Sequence, residues 1–244
     1  VWTGGNIGTP LFTKLDEIKK DDIVVLELSS FQLMTMKKSP NISIVTNIYE
    51  DHLDYHRNFE EYVDAKTNIF SHQKENDICI LNNDSAFLEK FENILKEKNI
   101  QSSRRYFSES NIDKNGAFIE NGVIKYNDNG RIENVVNTNV LKLNGNKNYL
   151  NVCSAICAVK DLVNLDSVRE SLIKFNGVEH RIEYVCDKDG VSYYNDSIST
   201  TPGKAMAALT AFDKKVILIA GGYDKNLDYT DIGKPIMNAV KHLI

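Results

Sequence analysis

The sequence predicts an α/β chain built on a largely parallel sheet, and three features point there. Short apolar runs rich in β-branched residues, at 23–28, 42–48, 78–81 and 216–220, alternate with stretches of helical period. Strands spaced by helices in this way are the signature of βαβ units. Residues 111–139 change character: NG and DNG turns separate alternating segments at 117–120 and 123–126, which predicts a small hairpin region inserted into the α/β domain.

Taken in order, 59–70 reads as a helix with Phe59, Tyr62, Val63, Lys66, Ile69 and Phe70 near one face, and 84–98 as a second helix. Residues 148–163 are helical again, and 167–175 form a shorter helix ended by Asn176-Gly177. The pattern then restarts with strands at 184–186 and 191–194, a helix at 202–212 and the strand at 216–220, so a domain boundary is expected near Gly177. The chain opens on Val1-Trp2 rather than Met and stops in an apolar stretch, 237–244, that reads as an unfinished helix; a fragment of a longer protein is expected.

With 244 residues, 42% apolar and 26% charged, the chain can bury a substantial core. A net charge of -5 leaves no basic footprint for a phosphate backbone, which argues against nucleic acid as the main partner. No apolar run approaches the roughly 18–20 residues needed to span a bilayer, and no signal peptide is apparent, so a cytoplasmic enzyme is the expectation. Cys79, Cys153, Cys157 and Cys186 form no CxxC pair and read as free buried thiols in a reducing compartment.

Ligands of open parallel sheets bind beyond the carboxyl ends of the strands, so polar residues just after an apolar run are the first candidates. Glu27, in IVVLELSSFQL, interrupts a strand that reads as buried; such a carboxylate has to be paired, protonated or bound to a cation. In TNIYEDHLDYH the strand runs straight into Glu50, Asp51, His52, Asp54 and His56, where an imidazole beside carboxylates can join a divalent-cation shell. The alternation of His52, Asp54 and His56 also permits a zinc hydrolase site. Lys66 shares a helix face with Tyr62, Ile69 and Phe70, where it has to bury or snorkel. If desolvated, its neutral amine can react with carbon dioxide to give a carbamate, an oxygen ligand suited to magnesium.

LNGNKNYLNV and YYNDSISTTPGKA lie at junctions where Asn and Asp serve as caps and turns as readily as ligand contacts. Gly203-Lys204 is no phosphate loop, because no glycine stands five residues before Gly203 and Ala205 follows the lysine. In IAGGYDK, Gly221 and Gly222 follow a strand and permit either close backbone approach or a plain turn.

Taken together and in order, GNIGTP, LELSSFQL, TNIYEDHLDYH, EYVDAKTNIF, LNGNKNYLN, EHRIEYV, YYNDS and AGGYDK resemble the Mur ligase pattern over essentially the whole chain. GNIG with LELSSFQL resembles the D-glutamate-adding form. The resemblance implies a central ATPase domain at 1–176, lacking an upstream phosphate loop, and a truncated, Rossmann-like C-terminal domain at 177–244. It also implies an ATP-dependent ligase that joins D-glutamate to UDP-N-acetylmuramoyl-L-alanine through an acyl phosphate, working as a monomer with two Mg2+ ions. By the same resemblance, Glu27, His52 and carbamylated Lys66 are the metal and catalytic set. Asn148, Asn151, Arg181 and Asp196 surround ATP; Asn6 and Ser29 face the UDP-muramoyl substrate; Thr200 and Lys225 hold D-glutamate. Ile198 and Lys147 depart from the family, which often carries lysine and histidine there. Another amino-acid ligase of the same family, a metal-dependent hydrolase and a non-catalytic nucleotide-binding module are the rival readings.

Overall fold

The computed structural model describes residues 1–6, 10–48, 56–143, 145–223 and 227–244, and divides into two compact units, Val1–Arg105 and Tyr106–Ile244. The first unit opens with β1 (Trp2–Gly5), which pairs in parallel with β2 (Val24–Glu27), Gly5 standing opposite Glu27. Trp2 Nε1 donates to Asp22 Oδ2 at 2.8 Å and ties the start of β1 to the turn before β2. That turn also holds the Asp22 carboxyl below its usual range, through the Lys19 backbone N–H first and the indole second.

A short helix, α1 (Ser30–Met34), follows, then β3 (Ile42–Val45), α2 (Phe59–Thr67), β4 (Ile78–Asn82), α3 (Leu88–Glu97) and β5 (Ser103–Ser108). β3 and β4 are parallel, with Ser43 opposite Cys79. The Ser103 N–H continues the pattern by donating to Asp77 O. The predicted apolar face of α2 is real: Tyr62, Val63, Ala65 and, one turn beyond the helix, Phe70 are buried. Phe70 and Phe91 meet edge to face at 5.7 Å between centroids, so α2 and α3 share an aromatic seam.

In the second unit the end of β5 runs parallel to β6 (Gly116–Glu120), which pairs antiparallel with β7 (Val123–Asp128) and that in turn with β8 (Arg131–Asn137). The expected hairpin region is therefore a three-stranded meander that continues a sheet. β5 escaped the sequence reading because Arg104 and Arg105 mask its apolar alternation, although Tyr106 and Phe107 are buried. Gly116, at φ +151°, lies against the Tyr106 carbonyl, where a Cβ would come within 1.8 Å.

Next come α4 (Asn146–Val159) and α5 (Leu165–Lys174), packed on β6 and β8 respectively. They are followed by the antiparallel pair β9 (Glu183–Lys188) and β10 (Val191–Asn195), and by α6 (Pro202–Leu209). β11 (Val216–Leu218), α7 (Gly233–Ala239) and β12 (Val240–Leu243) complete the order, with β11 and β12 parallel.

One expectation fails here. Residues 237–244 are not an unfinished helix: α7 stops at Ala239 and Val240 enters a strand against Val216. Pairing with β11 buries Val240 and overrides the apolar run that suggested helix. A second correction concerns the thiols. Cys79, Cys153 and Cys157 are buried, but Cys186 on β9 is exposed. Burial pushes the Cys79 thiol up to about 12, which suppresses its thiolate. Alkylation of the native protein at neutral pH, followed by peptide mapping, is expected to modify Cys186 first; preferential labelling of Cys79 would contradict this arrangement.

Among the described residues, no helix is long and apolar enough to cross a membrane.

Candidate functional site

In the first unit the candidate residues gather at the carboxyl ends of β1 and β2. Gly5 adopts φ +112°, and a Cβ there would lie 2.2 Å from the Glu27 carbonyl oxygen, so the two strands meet only because residue 5 has no side chain. The next residue uses that approach twice. Asn6 N–H donates to the Glu27 backbone oxygen at 2.7 Å, and its side-chain Nδ2 reaches Glu27 Oε1 at 3.4 Å. Two predicted site residues are thus neighbours, one orienting the other.

Gly5→Ala is expected to cost roughly 1–3 kcal/mol from backbone strain alone, before any displacement of Glu27. Urea unfolding of the variant against wild type measures it, and an unchanged midpoint would show that the strand ends can separate freely.

Glu27 itself is not buried, contrary to the sequence expectation. β1 and β2 form a two-stranded sheet, and all four residues of β2 are exposed. Its carboxylate therefore carries no burial penalty and is available as a hard oxygen donor.

Beyond Glu27 the chain turns sharply into α1. Ser29 caps that helix through a capping box: its Oγ accepts from Gln32 N–H, while Gln32 Oε1 accepts from the Ser29 N–H at 2.9 Å and from the Ser29 hydroxyl at 3.0 Å. Ser29, expected at the substrate, is thus engaged with its own helix. The next residue, Ser30, is fully buried and its Oγ lies 2.8 Å from His56 Nε2.

His56 is buried as well, and its ring meets the Tyr62 ring edge-on at 5.4 Å. Lys66 Nζ stands 5.3 Å from the centroid of the same tyrosine ring, with the lysine half-buried in the last turn of α2. The amine thus lies over the face of the ring, in the geometry of a cation–π contact. Ser30, His56, Tyr62 and Lys66 therefore form a continuous series of contacts from the turn after Glu27 to the helix carrying Lys66. In the sequence His56 stood as a candidate metal ligand and Tyr62 as a core residue; neither pointed to this chain of contacts.

The entry to α2 is fixed locally. Asn58 Oδ1 accepts from Glu61 N–H at 2.9 Å, and the Glu61 carboxylate accepts from Arg57 N–H at 2.7 Å and from its guanidinium. The Arg57 side chain is the first reason, and its backbone N–H the second, that Glu61 sits below the usual carboxylate range.

His52 and Asp54 lie outside the described residues. His56, the third member of the hydrolase reading, lies buried inside the fold with its Nε2 engaged by Ser30. The donor chemistry that is described fits a hard divalent cation better: Glu27 offers an exposed carboxylate, oriented by Asn6, and Lys66 offers an amine that becomes an oxygen donor only as its carbamate.

In the second unit α4 begins at Gly145, with φ +91°, where a Cβ would approach the Cβ of Ala211 to 2.9 Å. Asn148 and Asn151, three residues apart, share a face of the first turns of α4 and are both half-buried. Lys147, one of the departures, points to Glu109 at 3.5 Å.

Arg181 sits in a tight segment in which His180 and the β-branched Ile182 both have positive φ, 66° and 46°. That strain is held by named bonds: Asp196 Oδ1 accepts from Ile182 N–H at 3.0 Å, Asn195 Nδ2 meets His180 Nδ1 at 2.9 Å, and Ile198 N–H donates to His180 O at 3.2 Å. Arg181 and Asp196, predicted from separate motifs, are thereby brought to one place. Thr200 is exposed just before the Thr201 cap of α6, and Ile198 is exposed too. The Gly203-Lys204 pair lies inside α6, as expected of a pair that is no phosphate loop. Lys225 lies outside the described residues.

The family model for the Mur ligase middle domain matches residues 3–159. A UDP-N-acetylmuramoylalanine--D-glutamate ligase of Clostridium tetani is 44% identical over 244 residues, covering 100% of this chain and 51% of that protein. The Clostridium kluyveri protein of the same name is 42% identical over 243 residues, again covering 100% of this chain and 51% of its own length. The chain thus spans about half the length of the curated relatives it matches.

Among solved structures, a crystal structure of MurF from Acinetobacter baumannii superposes with a TM-score of 0.72 at 16% identity, covering 99% of this chain and 57% of that one. MurC from Thermotoga maritima superposes at 0.64 with 18% identity, covering 100% and 60%. These likenesses establish the α/β fold. Since the family match takes in well over half of the sequence, the chain belongs to the Mur ligase middle-domain family.

Proposed function

We propose that this chain is part of an ATP-dependent ligase that adds D-glutamate to UDP-N-acetylmuramoyl-L-alanine in peptidoglycan synthesis. Identity of 44% with a D-glutamate ligase along the entire chain carries the reading. The pairing of Asn6 with Glu27 at the strand ends supports it. Residues 1–176 are assigned to the central domain and 177–244 to the beginning of the C-terminal one.

In the reaction the alanyl carboxylate attacks the γ-phosphate of ATP, ADP leaves, and the amine of D-glutamate displaces phosphate from the resulting acyl phosphate. Both partners of the first step are anions, and the chemistry that bound magnesium supplies is the screening of their repulsion. Glu27, His52 and carbamylated Lys66 are the residues assigned to two such ions. Asn6 orients Glu27 and faces the UDP-muramoyl substrate with Ser29. Asn148 and Asn151 contact the nucleotide from α4, Arg181 from the strained segment after Gly177 and Asp196 from the end of β10, while Thr200 and Lys225 hold the incoming amino acid. Exclusion of water around the acyl phosphate limits its hydrolysis.

The full-length protein is expected to release ADP only when UDP-muramoyl-alanine and an amino acid are both present, with D-glutamate preferred. A coupled ADP assay across amino acids measures this, and equal use of L-lysine or L-alanine would overturn the assignment.

A further inference from the structure

Ser30 and His56 form a buried hydrogen bond between two segments that are far apart in sequence, at 2.8 Å and with relative exposures of 1% and 4%. Ser30 opens the helix immediately after the Glu27 turn, and His56 precedes the Asn58 cap of the helix that carries Lys66. We propose that this bond is a positioning latch: it sets the separation between Glu27 and Lys66, and so the grip of the site on its divalent cation. The inference rests on the assignment of those two residues to the metal.

Three observations support it. The bond joins the two segments directly after the Glu27 turn, while Asn68 joins α1 farther along, donating to Leu33 O at 3.0 Å. Both ends of the latch are rigid: Ser30 follows a closed capping box, and His56 leads into a helix start held by Asn58 and by the Arg57–Glu61 pair. Finally, His56 Nδ1 is buried with no hydrogen-bond partner among the described residues. A merely space-filling position would favour an apolar ring, because leaving a buried nitrogen unpaired is costly. Retaining imidazole here makes sense if Nε2 is needed for Ser30.

His56 is thus a positioning residue, acting on Glu27 through Ser30 and on Lys66 through the Tyr62 ring. A rigid shell of this kind governs metal affinity, and loosening it typically weakens binding about 10- to 100-fold. Neither residue of the latch need touch the cation.

The test is titration of Mn2+ into the full-length protein with a non-hydrolysable ATP analogue, followed by electron paramagnetic resonance, for wild type, Ser30→Ala, His56→Phe and the double variant. Each single variant is expected to bind Mn2+ about tenfold more weakly, and the double variant no more weakly than the worse single one, because both remove the same bond. His56→Asn, which keeps a donor, is expected to recover part of the affinity.

Unchanged Mn2+ affinity in Ser30→Ala, whatever its melting temperature, would overturn the latch, as would strictly additive losses in the double variant. Should His56→Phe fail to fold, Ser30→Ala decides alone, since it removes one oxygen atom. The ligation assay on wild type separates the two levels: a wild type that ligates D-glutamate while the variants bind Mn2+ normally refutes the latch only, whereas a wild type without ligase activity refutes the functional reading.

Discussion

Lys66→Ala is expected to lower ligation by about 10^3-fold, the scale on which losing one pre-aligned charge-stabilising group falls. Lys66 lies half-buried in the last turn of α2 with its amine against the Tyr62 ring. A cation there would be favoured by the ring, so a simple positive charge and a carbamate make opposite demands on the same site. Lys66→Arg distinguishes them, because it keeps the charge and the ring contact but has no amine able to take up carbon dioxide.

If the carbamate is the working form, Lys66→Arg is as inactive as Lys66→Ala. Added formate or acetate then restores part of the activity to the alanine variant, where space is open, and none to the arginine variant. Steady-state rates at fixed ATP check both points. Full activity in Lys66→Arg would remove the carbamate and leave a cation in its place.

Phe91→Ala is expected to cost about 3–5 kcal/mol of folding stability, a large share of what a domain possesses. Phe91 is 1% exposed, meets Phe70 edge-on at 5.7 Å and stacks on Phe87 at 6.3 Å. Removal of the ring leaves a void where α3 packs on the end of α2, and rigid neighbours cannot close it. Denaturant unfolding of the full-length protein measures the loss. A midpoint within the error of wild type would mean that the α2–α3 seam repacks.

The apolar face of α2 was legible in the sequence, because helical period alone groups Tyr62, Val63 and Phe70 on one face, but its seam with Phe91 of α3 was not. Lys66 was legible on the same ground as an amine that had to lie along an apolar surface. The burial of Glu27 was misjudged for an equally physical reason: an apolar run such as Ile23 to Leu28 reports a strand but not what covers its faces. The terminal strand Val240–Leu243 was hidden too, since a four-residue segment with Val240 and Leu243 flanking Lys241 and His242 is neutral between helix and strand until a partner such as β11 exists.

By itself, the order of residues determined the alternation of strands and helices, the family pattern and the identities of the candidate donors, all of which depend on local period and on motif spacing. Tertiary structure alone decided which of them meet: that Asn6 reaches Glu27, that Asp196 holds the strained turn beside Arg181, and that His56 is spent on Ser30 rather than left in a solvent-facing cluster. Those partnerships join residues from 14 to 26 positions apart. Local propensity says nothing at that range, where chain packing sets the distance between side chains.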